Sequence, residues 1–170
     1  MFITHCHEAT REPPIPVPGP ARELNLPDGA TDATRNGPVT DERIRILVVD
    51  DDPELLETLR EYLEKLGNRY VVETAARGSE ALWMVARARP DLVILDVEMP
   101  GMTGVQVLTS LRALDPTIPV IMLTGNTDGS VAAETLKLGA VSYAPKPLNL
   151  QYLDHLVATF ATKPREGSSA

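Results

Sequence analysis

Three runs in this chain, Ile46-Leu47-Val48-Val49, Leu92-Val93-Ile94-Leu95 and Val120-Ile121-Met122-Leu123, are apolar at every position. A strand with one face in water alternates apolar and polar residues. A short run without alternation, rich in β-branched side chains, reads as a strand buried on both faces. Strands of that kind form the middle of a parallel sheet covered by helices on both sides. Two weaker runs, Tyr70–Thr74 and Val141–Ala144, complete a set of five, and Ile44 extends the first run to Ile44–Val49.

The segments between the runs carry a helical period. Leu55, Leu56, Leu59, Leu63 and Leu66 make one apolar stripe, stopped by Gly67. Ala81, Leu82, Val85 and Ala86 make a second; Val107, Leu108, Leu111 and Leu114 make a third that ends at Asp115-Pro116. Ala132, Leu136 and Leu138, ending at Gly139, form a fourth, and Leu153, Leu156, Val157 and Phe160 the last. Five strands alternating with five helices specify an α/β fold, a doubly wound parallel sheet with helices on both faces. The expected domain spans residues 44–162.

The flanks differ. Residues 1–43 hold seven of the fifteen prolines, five of them clustered in Pro13-Pro14-Ile15-Pro16-Val17-Pro18-Gly19-Pro20, and one aromatic, Phe2. That composition offers too little apolar surface to offset the entropy of ordering, so the segment is expected to be a disordered, Pro-rich tail. Residues 163–170 are polar and read as a second tail. His5-Cys6-His7 presents ligand types for a metal, but consecutive spacing without a fourth ligand matches no structural zinc pattern.

Twenty-four acidic against sixteen basic residues leave a charge of −8. An acidic chain without a basic face is a poor partner for phosphate backbones, which argues against direct nucleic-acid binding. No apolar run approaches the roughly 18 residues of a membrane span, and the N-terminus has no signal-peptide core. A soluble cytoplasmic protein is the resulting expectation. No GxxxxGK[ST] nucleotide loop occurs.

Chemistry concentrates where the strands end. Asp50, Asp51 and Asp52 follow the first run and Asp96 follows the third. Open α/β sheets bind ligands at the carboxyl ends of their strands. Two carboxylates about 4 Å apart at an effective dielectric near 20 repel by about 4 kcal/mol, so a folded chain keeps such a cluster when a cation neutralises it. Asp52 has a separate explanation. In Asp52-Pro53-Glu54 the Asp suits a helix N-cap, the Pro the first helical position and the Glu the first turn. Thr124-Gly125 after the fourth run, and Lys146 between Pro145 and Pro147 after the fifth, lie on the same rim.

Ile46–Pro53, Asp91-Leu92-Val93-Ile94-Leu95-Asp96-Val97-Glu98-Met99-Pro100-Gly101-Met102-Thr103-Gly104, Met122-Leu123-Thr124-Gly125, Leu138-Gly139-Ala140 and Pro145-Lys146-Pro147 together resemble the response-regulator receiver domain of two-component signalling. The resemblance covers Ile44 to about Thr162 and implies a flavodoxin-like (βα)5 sheet of order 2-1-3-4-5. It implies that Asp96 is the phosphoacceptor, receiving a phosphoryl group from a histidine kinase or a histidine phosphotransfer protein. Mg²⁺ would be held by Asp51 and Asp96, by the backbone carbonyl of Glu98, and by Asp50 mainly through water. Thr124 and Lys146 would hold the phosphoryl oxygens, and Tyr143 would be the switch aromatic that moves inward with Thr124. Lys146-Pro147 is expected to be a cis peptide. Glu98 and Asn126 occupy the places where the family tunes phosphoryl hydrolysis.

The chain is therefore expected to be a stand-alone, single-domain regulator, a signalling module rather than a turnover enzyme. Its output would be a contact with a downstream protein on the face of the fourth helix, fifth strand and fifth helix. Glu134, Lys137, Tyr143, Asp154 and His155 are candidates for that face, and the family also allows homodimers on phosphorylation. The competing reading is a Mg²⁺-dependent phosphohydrolase working through an aspartyl phosphate. Such an enzyme commonly needs a second Asp two places after its nucleophile, where this chain has Glu98.

Overall fold

The computed structural model describes residues 42–125 and 129–163. The proline cluster, His5-Cys6-His7, Asn126 and nearly all of the C-terminal tail lie outside the described residues.

Strands and helices alternate throughout: β1 (Ile44–Val49), α1 (Pro53–Lys65), β2 (Tyr70–Ala75), α2 (Gly78–Arg87), β3 (Leu92–Asp96), α3 (Gly104–Leu114), β4 (Val120–Thr124), α4 (Gly129–Lys137), β5 (Ser142–Pro145) and α5 (Leu150–Phe160). The sheet order is β2-β1-β3-β4-β5, and all four pairings are parallel. The three wholly apolar runs are the three interior strands. β3 and β4 each extend one residue beyond their apolar run, so that Asp96 and Thr124 are the last residues of their strands.

Alternate residues of each strand feed two separate cores, because successive side chains point to opposite sheet faces. Ile46, Val48, Ile94, Ile121 and Leu123 pack on one face with Leu59 and Leu63 of α1 and Leu153 and Val157 of α5. Leu47, Val49, Val93, Leu95 and Met122 pack on the other with Ala81 and Val85 of α2 and Val107, Leu108 and Leu111 of α3. Both faces being filled, the rim is left as the place where polar side chains can gather.

Helix ends follow the sequence closely. The Asp52 carboxylate accepts from the backbone N–H groups of Glu54 (2.9 Å) and Leu55 (3.3 Å), with Pro53 opening α1. Gly67 and Gly139, just past α1 and α4, have φ of 139° and 101°, where a side chain would be strained. Thr103 and Gln106 form a reciprocal capping box that starts α3, and Asn149 caps α5. Among the described residues no helix is long and apolar enough to cross a membrane.

The fourth stripe is corrected. α4 buries Ala132 and Thr135, while Leu136 (42% exposed) and Leu138 face solvent. One residue turns a helix by about 100°, so a buried face running through Ala132 and Thr135 leaves Leu136 at its margin. Leu66, Ala86 and Leu114, assigned to the apolar stripes of the first three helices, are likewise exposed. Each lies at the last residue of its helix, one before it, or just past the end.

Leu59→Ala should cost about 2–5 kcal/mol of stability, the range for emptying a sealed core position. Leu136→Ala should stay within about 0.5 kcal/mol. Denaturant unfolding of the two variants checks this; equal losses would mean that Leu136 is packed.

Candidate functional site

Parallel strands end on one rim, and register sets the side chains along it. Val49 lies opposite Leu95, so the residues that follow, Asp50 and Asp96, come side by side. Asp96 pairs with Leu123, and Thr124 with Pro145, which brings Thr124 and Lys146 to the same edge. The Lys146 backbone N–H donates to the carbonyl of Thr124 at 2.7 Å, and the Lys146–Pro147 peptide is cis.

Side-chain oxygens of Asp50, Asp51 and Asp96 lie within 4.8 Å of one another. Asp50 and Asp96 are 0% and 2% exposed, Thr124 is 3% exposed, and Asp51 faces solvent. The Lys146 ammonium lies 2.7 Å from Asp50 Oδ2 and 3.1 Å from Asp96 Oδ1, bridging the two buried carboxylates. The other oxygen of Asp50 accepts from the Asp52 N–H at 2.9 Å, which ties the cluster to the start of α1. Burial and the neighbouring Asp50 charge raise the pKa of Asp96, against the opposing pull of Lys146 and the Glu98 N–H. Burial works against the Lys146 charge, but its bonds to Asp50 and Asp96 outweigh that and raise its pKa.

Three carboxylates face one ammonium, leaving two negative charges uncompensated. An all-oxygen, carboxylate-rich donor set with one member open to solvent fits a hard divalent cation that keeps several waters, as Mg²⁺ does. The residues present fit that ion.

Glu98 is exposed above the cluster, and its backbone N–H bonds the Asp96 carboxylate. A Cβ placed on Gly125 would lie 3.8 Å from Glu98 Oε2, so the Glu98 carboxylate approaches the chain just past β4. Gly104 went unremarked in the sequence beyond its place in the motif. A Cβ there would collide with the Asp96 carbonyl and lie 2.8 Å from Val97 Cα, so α3 starts directly against the backbone of the phosphoacceptor candidate. Tyr143 stands apart from the cluster, on the edge strand and 38% exposed, with its carbonyl 3.4 Å from Tyr152 Oη. Glu134, Lys137 and His155 are exposed, and Asp154 is half-buried.

The sequence model for the response-regulator receiver domain matches residues 46–158. The chain belongs to that family. It is therefore a receiver domain of two-component signalling. It is 44% identical over 110 residues to the response regulator MprA of Mycobacterium ulcerans and, equally, of Mycobacterium bovis. Those alignments cover 65% of this chain and 47% of the relatives, so the chain spans about half the length of the curated relatives it matches. Among solved structures, the chemotaxis protein CheY4 of Vibrio cholerae is 33% identical with a TM-score of 0.65, over 69% of this chain and 98% of that one. A response regulator receiver domain protein of Clostridium thermocellum gives 32% and 0.65, over 69% and 94%.

The Asp96 shift has a stability consequence in this receiver domain. Its folded pKa lies above the unfolded value near 3.9, so the stability from the protonated form is full below that pH and lost as pH rises through the raised value. At neutral pH the ionised group costs stability. In metal-free buffer, Asp96→Asn should therefore unfold at higher denaturant concentration than the parent at pH 7, with the gap closing below about pH 4. A variant less stable than the parent at pH 7 would contradict this.

Proposed function

We propose that this receiver domain is a phosphorylation-activated switch that takes a phosphoryl group on Asp96 from a histidine kinase or histidine phosphotransfer protein. The observation that carries the reading is the pairing of a buried carboxylate with a lysine bridge and two further carboxylates on one strand rim. A carboxylate oxygen of Asp96 forms a bond to phosphorus while the bond from phosphorus to the donor imidazole nitrogen breaks, the electron pair leaving with the nitrogen. Asp50, Asp51, Asp96 and the backbone carbonyl of Glu98 are the ligands proposed for Mg²⁺, which supplies positive charge against the phosphoryl oxygens when bound.

The chain's own groups do the rest. Lys146, already held at the cluster by Asp50, gives its ammonium to a phosphoryl oxygen. Thr124, buried at the end of β4, donates its hydroxyl to another. The Asp96 backbone is braced by α3 through Gly104, which limits the recoil of the nucleophile. Movement of Thr124 towards the phosphoryl group leaves room beside β5 that Tyr143 can enter, reshaping the face of α4, β5 and α5 for a downstream protein or a second copy. The domain acts as a signalling module rather than a turnover enzyme, and it works in the cytoplasm where such kinases deliver phosphoryl groups.

A small phosphodonor should label the full chain once, at Asp96, in the presence of Mg²⁺ and not with excess chelator. Intact-mass and peptide spectrometry should find no stoichiometric label on Asp96→Asn, and Asp51→Ala should weaken the Mg²⁺ response strongly. Stoichiometric labelling of Asp96→Asn would place the phosphoacceptor elsewhere.

Thr124→Ala separates chemistry from switching. It should still accept phosphate at Asp96, while phosphorylation-dependent partner binding or self-association falls by about tenfold, roughly one lost hydrogen bond to a charged group. Coupling as strong as the parent's would rule out the Thr124–Tyr143 relay.

A further inference from the structure

A cleft of about 620 Å³ adjoins the carboxylate cluster and shares Asp51 with it. One wall is the β2–α2 turn with Arg77 and Ser79; the other is the β3–α3 loop at Pro100, Gly101 and Met102. The walls are seated on each other, since a Cβ on Gly78 would collide with Val107 and crowd Met102. The cleft is thus a fixed feature beside the reacting carboxylates.

Arg77 is its cation and is unusual among its kind. Of the eight arginines in the described residues, the other seven are engaged: Arg45, Arg60 and Arg89 with carboxylates, Arg69 and Arg87 on aromatic rings, Arg112 with backbone carbonyls, and Arg43 with a neighbour. Arg77 occupies the N-cap position of α2 without a capping side-chain bond, and among the described residues its guanidinium has no hydrogen bond or ion pair. The Ser79 hydroxyl beside it is also unengaged among those residues. In a chain of charge −8, this is an open cation on the border of an acidic site.

We propose that the cleft is a subsite for the acyl group of small acyl-phosphate donors and that Arg77 is the residue that selects them. The inference rests on Asp96 being the phosphoacceptor. An Asp96 carboxylate oxygen bonds to phosphorus, the bond from phosphorus to the acyl oxygen breaks, and a carboxylate departs with the electron pair. No proton is needed, so negative charge grows on the leaving oxygen, and a guanidinium matches the planar carboxylate that forms. Lys146 sits at Asp50 and Asp96 and serves the phosphoryl oxygens in the proposed transfer, which leaves this second cation for the donor's organic end. A phosphoramidate donor, whose nitrogen leaves as neutral ammonia, presents no carboxylate to Arg77.

The test compares initial rates of Asp96 labelling of the full chain with Mg²⁺, using acetyl phosphate and phosphoramidate in turn. Arg77→Ala should slow acetyl phosphate by about fivefold, the scale of one exposed charge contact, and phosphoramidate by less than about twofold. Arg77→Lys should recover part of the acetyl phosphate rate and confirm that charge, not folding, is read. An Arg77→Ala variant with the parent's ratio of the two rates would overturn the subsite alone. Failure of both donors to label Asp96 in the parent would remove the phosphoacceptor reading and the subsite with it.

Discussion

The ammonium of Lys146, shared between Asp50 at 2.7 Å and Asp96 at 3.1 Å, holds the rim together. Two carboxylates sealed between strands repel each other strongly, and one lysine delivered from the far side of β4 offsets part of that cost. Several otherwise separate features serve this contact. The parallel register sets Asp50 beside Asp96; the Lys146 N–H to Thr124 bond fixes the β5 end; the Asp52 N–H holds the second oxygen of Asp50. The compensation is partial: burial and the Asp50 charge still hold the Asp96 carboxyl above its ordinary pKa. A site that is stable and yet short of positive charge is suited to accept a divalent cation.

The same contact separates structural acids from chemical ones. Asp91 sits at the opposite rim, where it accepts the Arg45 N–H at 2.8 Å and closes the start of β3. Asp115 is held at a pKa of about 2 by the Thr117 hydroxyl and Arg89, and ties the end of α3 to the turn before β4. Both acids are satisfied by fixed donors and have nothing left to do. Asp50, Asp51 and Asp96 differ in sharing one ammonium among three carboxylates, and they gather at the carboxyl ends of the strands.

The sheet was legible because each interior strand contains a run of four residues that is apolar at every position, the pattern of a strand buried on both faces. The rim was legible for a related reason. Asp50, Asp96 and Thr124 are each the first polar residue after an apolar run, so strand ends announced the site. α4 was misread because its buried face is made of Ala132 and Thr135, small or polar residues that leave no apolar stripe, while Leu136 and Leu138 imitate one. Gly104 and Arg77 were opaque for another cause. Their meaning depends on which backbone or loop passes beside them, and periodicity carries no information about such crossings.

The misreading of α4 bears on how the domain can move. The interior strands and α1 bury large aliphatic side chains, and shifting any of them would open costly voids. α4 seats itself through Ala132 and Thr135, and β5 is a four-residue edge strand with Tyr143 half outside. Little apolar area is lost when these elements shift, so they belong to the low-stability end of the structure. Moving a two-state equilibrium from 1:99 to 99:1 takes about 5.5 kcal/mol of differential binding, and a hydrogen bond to a charged group supplies about 1.5–3. Lys146 is bonded to carboxylates before any phosphoryl group arrives, so its change of partner contributes less than a new bond. Thr124 is also engaged already, so under the proposed switch each of these groups supplies only a difference between partners, and the weakly seated α4 and β5 are where so small a difference can act.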